Sequence, residues 1–255
     1  MNVEQVEKIA NAVLYEGFLL NPYRNSAVKN RQQFNFGVLY PPAYCEPKGG
    51  TDGWEMQTEC LLAGTAATPV ECKIRFLQLA TTRGGQEAVE RSVRGPACGL
   101  YALQAKPLRQ RFEFGGSATP EASGAAVQGQ FELKALEFKR GLFKITLNVR
   151  NCTGLTTTEK ADREEVVIRS LFCAHSILHA TGGRFISSID PPVQLSEAAE
   201  ACKNVGAWPV LAGDGKDQDT VLAAPIILYD YPRIAPESAV RIFTMTVADK
   251  AGTPK

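Results

Sequence analysis

The sequence predicts an α+β fold, mainly antiparallel β-sandwich or open barrel, and three observations carry that reading. Between residues 34 and 150, apolar and polar positions alternate in short runs bounded by glycine and proline, the period of strands with one buried face. Helical spacing appears at the N-terminus and twice in the C-terminal half. No internal repeat and no interdomain linker breaks the 255 residues, which are read as a single domain, 1–255, with enough chain to bury a real core.

In order, Val3, Val6, Ile9, Ala10, Val13 and Leu14 share one face of an N-terminal helix, 3–14, ended near Gly17. "FNFGVLY" (34–40) reads as a strand stopped by Pro41 and Pro42. "WEMQTECLL" sets Trp54, Met56, Thr58 and Cys60 on one side, and "VECKIRFLQL" does the same with Val70, Cys72, Ile74 and Phe76. The more polar "QEAVERSV" suits an edge strand, and "RFEFGG" leads into the loop "SATPEASGAA". "QFELKALEF" and "LFKITLNV", joined around 139–141, form the best hairpin, with Gly141 free to take a left-handed turn position.

The pattern then changes. "ADREEVVIRSLFCAHSILHATGG" reads as a helix, 162–180, with Asp162 as N-cap, acids in the first turn and Gly182-Gly183 as its stop. A second, shorter helix is expected in "VQLSEAAEACKNVG". Late strands fill 184–247: "RFISSIDPP", "WPVLAG", "VLAAPIILYDYP" and "VRIFTMTVAD".

Composition excludes several classes. Hydrophobic residues make up 44% and charged residues 22%, with net charge +1, so no global field recruits nucleic acid or an anionic membrane. No apolar run approaches the roughly 20 residues of a membrane helix, so membrane insertion is not expected. The N-terminus has no basic start followed by an apolar segment, and the expectation is a cytoplasmic protein. Seven scattered cysteines without a CxxC pair fit reduced, mostly buried thiols.

Both histidines, His175 and His179, fall in "SLFCAHSILHA". At 100° per residue with Val167 at zero, they lie at about 80° and 120° on the assumed helix, inside the apolar arc. The expectation is a core-facing pair, with His175 buried on the face of Leu171 and Leu178. As metal ligands, His175 and His179 are the candidates, but a site needs one or two further ligands, and neither HExxH nor an intervening acid is present. No metal, cofactor or catalytic residue is therefore assigned. GxSxG is absent, "GDGK" lacks the rest of a phosphate loop, and "AGDGKDQD" lacks EF-hand spacing.

Two stretches carry more aromatic and arginine residues than packing needs. One, residues 15–36, interleaves Tyr15, Tyr23, Phe34 and Phe36 with Arg24, Lys29 and Arg31. The other, "LYDYPRIAPES", sets Tyr229, Asp230, Tyr231 and Arg233 among prolines. Protein interfaces are enriched in such types, and Tyr23, Arg24, Lys29 and Arg31 are the expected partner-binding residues. A loop fixed to the domain by pairing with Asp190 or Asp230 is the alternative.

The segments "VLYEGFLLNPYRNSAVKNRQQFNFGVLYP", "TECLL", "RFLQL", "EAVER", "AHSILHATGGRFISSIDPP", "NVGAWPVL" and "APIILYDYPRIAPES" resemble, in order, a family encoded beside high-affinity, actinobacterial-type nickel–iron uptake hydrogenases. The resemblance implies a non-enzymatic accessory role in assembly, maturation or organisation of the hydrogenase, with a hydrogenase subunit or maturation factor as partner. It implies no reaction, cofactor or catalytic residue. One departure stands out: the family pattern has an acidic segment after "APES", whereas Ser238 here runs into "AVRIFTMTVADK". The alternatives are a metal-dependent enzyme using His175 and His179, and a small-molecule binding module.

Overall fold

A computed structural model describes residues 3–15, 37–45, 52–82, 85–116, 124–155, 163–215 and 217–234. Its strands are β1 (Glu55–Ala63), β2 (Pro69–Thr82), β3 (Gly85–Arg94), β4 (Cys98–Gly99), β5 (Leu108–Phe114), β6 (Val127–Lys139), β7 (Leu142–Asn151), β8 (Phe172–Ala180), β9 (Arg184–Phe185), β10 (Trp208–Leu211) and β11 (Thr220–Ala224). They form two mostly antiparallel sheets, ordered β5-β6-β7-β1-β9 and β10-β11-β8-β2-β3, with β4 paired to β2. Five short helices accompany them: α1 (Val3–Ala10), α2 (Pro42–Cys45), α3 (Leu100–Ala105), α4 (Arg163–Ile168) and α5 (Ser196–Glu200).

Alternation decides what each sheet buries. Met56, Cys60 and Leu62 of β1, Phe131 and Leu133 of β6, and Ile145, Leu147 and Val149 of β7 point from the first sheet into a shared core. Cys72, Ile74 and Phe76 of β2, Ala174 and Leu178 of β8, and Val221 and Ala223 of β11 enter it from the second. Each large apolar side chain so buried contributes roughly 1.5–3 kcal/mol. The β6–β7 hairpin closes at Gly141, whose φ of +75° is the left-handed conformation its turn requires. β3 lies at a sheet edge, as its polar sequence predicts.

The two sheets differ on their outer sides. The five-stranded sheet shows a polar face made by Gln57, Gln130, Glu132, Lys134, Thr146, Asn148 and Arg150. The six-stranded sheet is covered on its outer side as well. Val6, Ile9 and Ala10 of α1, with Leu14 and Tyr15 of the π-helical turn Asn11–Tyr15 that continues it, pack on Leu77, Leu79, Cys173, Ile177 and Leu222. Of the N-terminal helix predicted over 3–14, 3–10 is α-helical and the rest is the π-helical turn, and their apolar residues make a second core.

The helix predicted over 162–180 is corrected. Only Arg163–Ile168 is helical; Phe172–Ala180 is the central strand β8, paired with β2 and β11. Ser170 Oγ donates to the Val166 carbonyl at 2.6 Å, which closes the last helical turn. Cys173 then takes a φ of +50° at the point where the β2–β8 register shifts between Arg75 and Leu77. β8 is buried on both faces, so its sequence shows no alternation of apolar and exposed polar positions. In such a stretch a 100° rotation finds an apolar arc whether or not a helix exists.

Two smaller corrections follow. Of the strand predicted over 34–40, the described part holds only bridges of Leu39 to Gly53 and Leu171. α3, packed with Leu100 and Leu103 buried, was not anticipated. The strand expected at "VRIFTMTVAD" lies outside the described residues. Among the described residues no helix is long and apolar enough to cross a membrane.

Candidate functional site

The outer face of the six-stranded sheet holds a buried arginine and a buried histidine side by side. Because strand side chains alternate, Glu71, Lys73 and Arg75 of β2 share this face with His175, Ile177 and His179 of β8. Arg75 stands opposite His175 and Glu71 opposite His179. The sequence reading placed His175 with Leu171 and Leu178. Those two point into the inter-sheet core, whereas His175 points the other way and is buried because α1 and its π-helical extension cover it.

Arg75 is 1% exposed. Its Nε and Nη2 donate to Glu90 Oε1, Nη2 also donates to Asn11 Oδ1 at 2.6 Å, and Nη1 donates to the Glu7 carbonyl at 3.3 Å. Its guanidinium lies 5.4 Å from the Tyr15 ring centroid, and Tyr15 makes an edge contact with His175 at 5.5 Å. Lys73 Nζ reaches Glu7 at 2.5 Å. One buried guanidinium thus ties the N-terminal helix to strands β2 and β3.

His175 Nδ1 lies 2.8 Å from the Cys173 carbonyl. A carbonyl only accepts, so Nδ1 carries the proton and Nε2 keeps a lone pair. Nε2 and the Tyr15 hydroxyl are both buried without a hydrogen-bond partner. Burial, with smaller contributions from Arg75 and Lys73, lowers the His175 pKa to about 3. Burial also pushes the Tyr15 hydroxyl well above its ordinary value. The cluster holds a neutral imidazole and a neutral phenol against a permanent cation.

His179 has a different setting at the open end of the same strand. Thr220 Oγ1 donates to Asp219 Oδ1 at 2.9 Å, which leaves its oxygen to accept from His179 Nδ1 at 3.0 Å. Nε2 is thereby left as the bare nitrogen. The imidazole lines a groove of about 230 Å³ with Val3, Glu4, Glu71, Cys72, Lys73, Arg94 and Ile177.

His175 and His179 do not form a joint metal site. Four residues along a strand separate their Cα atoms by roughly 13 Å. His175 is in addition sealed beneath Tyr15. Among the described residues no group of three or more His, Cys, Asp or Glu side chains could hold a metal ion. The seven cysteines are free; Cys45, Cys60, Cys72 and Cys173 are buried, and burial raises the Cys72 and Cys173 thiols to about 12.

Tyr23, Arg24, Lys29 and Arg31, the expected partner-binding residues, lie outside the described residues. The second aromatic stretch is placed. Asp230 accepts from Ser187 Oγ at 2.5 Å and from the Leu211 backbone N–H at 2.8 Å, and Tyr231 N–H bonds the Leu211 carbonyl at 2.7 Å. Beside this clamp, Ile227 is 81% and Tyr229 84% exposed. Arg75 and Asn151 are buried, hydrogen-bonded polar residues that the sequence reading missed. Asn151, fully buried, donates to the carbonyls of Leu39 and Arg169. In sequence each is an ordinary polar strand position; only the element covering it makes it special. No protein-family model matches the chain, and no curated protein matches it.

Proposed function

We propose that this chain is a cytoplasmic, non-enzymatic accessory protein that supports assembly, maturation or organisation of a nickel–iron hydrogenase through protein–protein contact. In this reading the two sheets are a sandwich-like scaffold. The supporting observation is the display of Ile227 and Tyr229: two large apolar side chains stand in solvent on a segment that Asp230 pins to Ser187 and Leu211. A segment held in place loses little freedom on binding, and tyrosine offers large contact area at low entropy cost. The resemblance in sequence supplies the partner, a hydrogenase subunit or maturation factor, and the basic, aromatic segment with Tyr23, Arg24, Lys29 and Arg31 is the second half of the contact.

Co-purification of the tagged chain from cells expressing the hydrogenase tests this. A hydrogenase component is recovered at mild salt, and the double variant Ile227→Ser/Tyr229→Ser loses it at unchanged melting temperature. Absence of every hydrogenase component from the wild-type eluate overturns the reading. A hot-spot pair of this kind costs about 2 kcal/mol or more, near 30-fold in affinity.

A further inference from the structure

We propose that the groove beside α1 is a binding site for a small zwitterion, an amino carboxylate whose ammonium and carboxylate groups are several ångströms apart. The proposal is independent of the partner reading, since neither Ile227 nor Tyr229 lines the groove.

The charges of the groove are unevenly satisfied. Lys73 is neutralised by Glu7, and Glu4, which also lines the groove, has a partner of its own. Arg94 and Glu71 make no ion pair or side-chain hydrogen bond among the described residues. The strand register sets them on a diagonal of one sheet face. Arg94 faces Lys73 across β2 and β3, whereas Glu71 faces His179 across β2 and β8. One strand across and two residues along puts their Cα atoms roughly 8 Å apart, with the lysine between. A free cation and a free carboxylate at that spacing complement a molecule that carries one charge of each sign at its two ends.

The remaining lining fits the same molecule. Guanidinium presents a planar pair of donors to a carboxylate. At the other end, Glu71 and His179 Nε2 are both acceptors, which suits an ammonium group. The hydrogen bonds favour the tautomer with that acceptor: Nδ1 donates to Thr220 Oγ1, and Thr220 in turn donates to Asp219. Between the ends, Ile177 and Val3 offer apolar surface to a methylene chain. A groove of about 230 Å³ takes a molecule of this size.

The experiment is a titration of the full chain with 6-aminohexanoate, γ-aminobutyrate, propionate and butylamine, followed on the imidazole nitrogen–proton correlation spectrum. The chain has two histidines, so the buried His175 serves as the internal control. A saturable shift of His179 alone is expected with a zwitterion, with a midpoint of about 1–10 mM for so few heavy atoms. The single-charge compounds bind about tenfold or more weakly, and Arg94→Gln and Glu71→Gln each weaken the zwitterion by a similar factor. Unchanged His175 signals verify the fold of each variant. Propionate binding as tightly as the zwitterions would mean a plain anion site and overturns the proposal. So does a His179 response that never saturates, or one that neither variant alters. The comparison of wild-type ligands stands even where a variant fails to fold.

Discussion

Arg75 and His175 face each other directly across the β2–β8 ladder, both are closed off from water, and the Tyr15 ring contacts them both. A permanent cation therefore stands beside an imidazole that has its Nδ1 proton committed to a backbone carbonyl. A second positive charge at this position is strongly disfavoured, and the N-terminal helix keeps solvent from screening it.

A pH dependence of stability follows. The His175 pKa is about 3 in the folded chain, against an ordinary value of 6.5 once unfolding exposes the ring. The unfolded state thus binds the extra proton between those limits. The stability is fully present above pH 6.5 and is lost as pH falls toward 3, by about 1.4 kcal/mol per pH unit for one group. Urea unfolding at pH 7 and pH 5 measures it. His175→Gln is expected to flatten the difference by about 2 kcal/mol over that interval. Equal slopes in variant and wild type would show that His175 is protonated, or accessible, in the folded chain.

Arg75 is the second test. Arg75→Met keeps the length of the side chain and removes every donor, so Asn11 Oδ1 and the Glu7 carbonyl lose a partner. Glu90, with its side chain 45% exposed, recovers water, so its lost ion pair counts for little. The expected destabilisation is about 1–2 kcal/mol, from half-buried acceptors left without their partner rather than from charge. Hydrogen exchange distinguishes a local from a global effect: amides of α1 should lose protection before those of β7. Uniform loss across the chain would mean that Arg75 supports the sheet itself.

The parts of this fold that could be read from sequence are those with one wet face. β6 alternates cleanly because one side of it is solvated, and the hairpin at Gly141 adds its own turn chemistry. β8 could not be read. It is covered on both sides, by the other sheet on one and by α1 and its extension on the other, and burial on two faces erases the period of two. The acidic first turn of α4 was a true signal, but nothing local marked its end at Ile168, since Ser170 and Cys173 are not conventional stop residues. The candidate site failed for the same reason. His175 was correctly expected to be buried, yet its side of the chain was assigned from a helical rotation. Arg75 and Tyr15 are far apart in sequence, and only the docking of the N-terminal helix unites them with it.

Gly129 provides a test of the inter-strand packing. It lies on β6 opposite Phe112 of β5 on one side and Asn151 of β7 on the other. A Cβ built there would meet the Phe112 ring at 2.2 Å and the Arg150 carbonyl at 2.9 Å. The ring cannot simply turn aside, because Phe112 is held in a cluster with Phe76 and Phe114 at centroid distances of 5.8 and 6.1 Å. Backbone dihedral strain plays no part; the glycine is needed because an aromatic ring lies over its Cα. Gly129→Ala is accordingly expected to lower stability by about 1–3 kcal/mol, the usual range for overpacking. The double variant Gly129→Ala/Phe112→Leu should recover part of that loss, since the smaller side chain vacates the space the methyl group needs. Thermal melts of the wild type, both single variants and the double variant give the coupling. Strict additivity would rule out the Phe112 contact as the reason for glycine at this position.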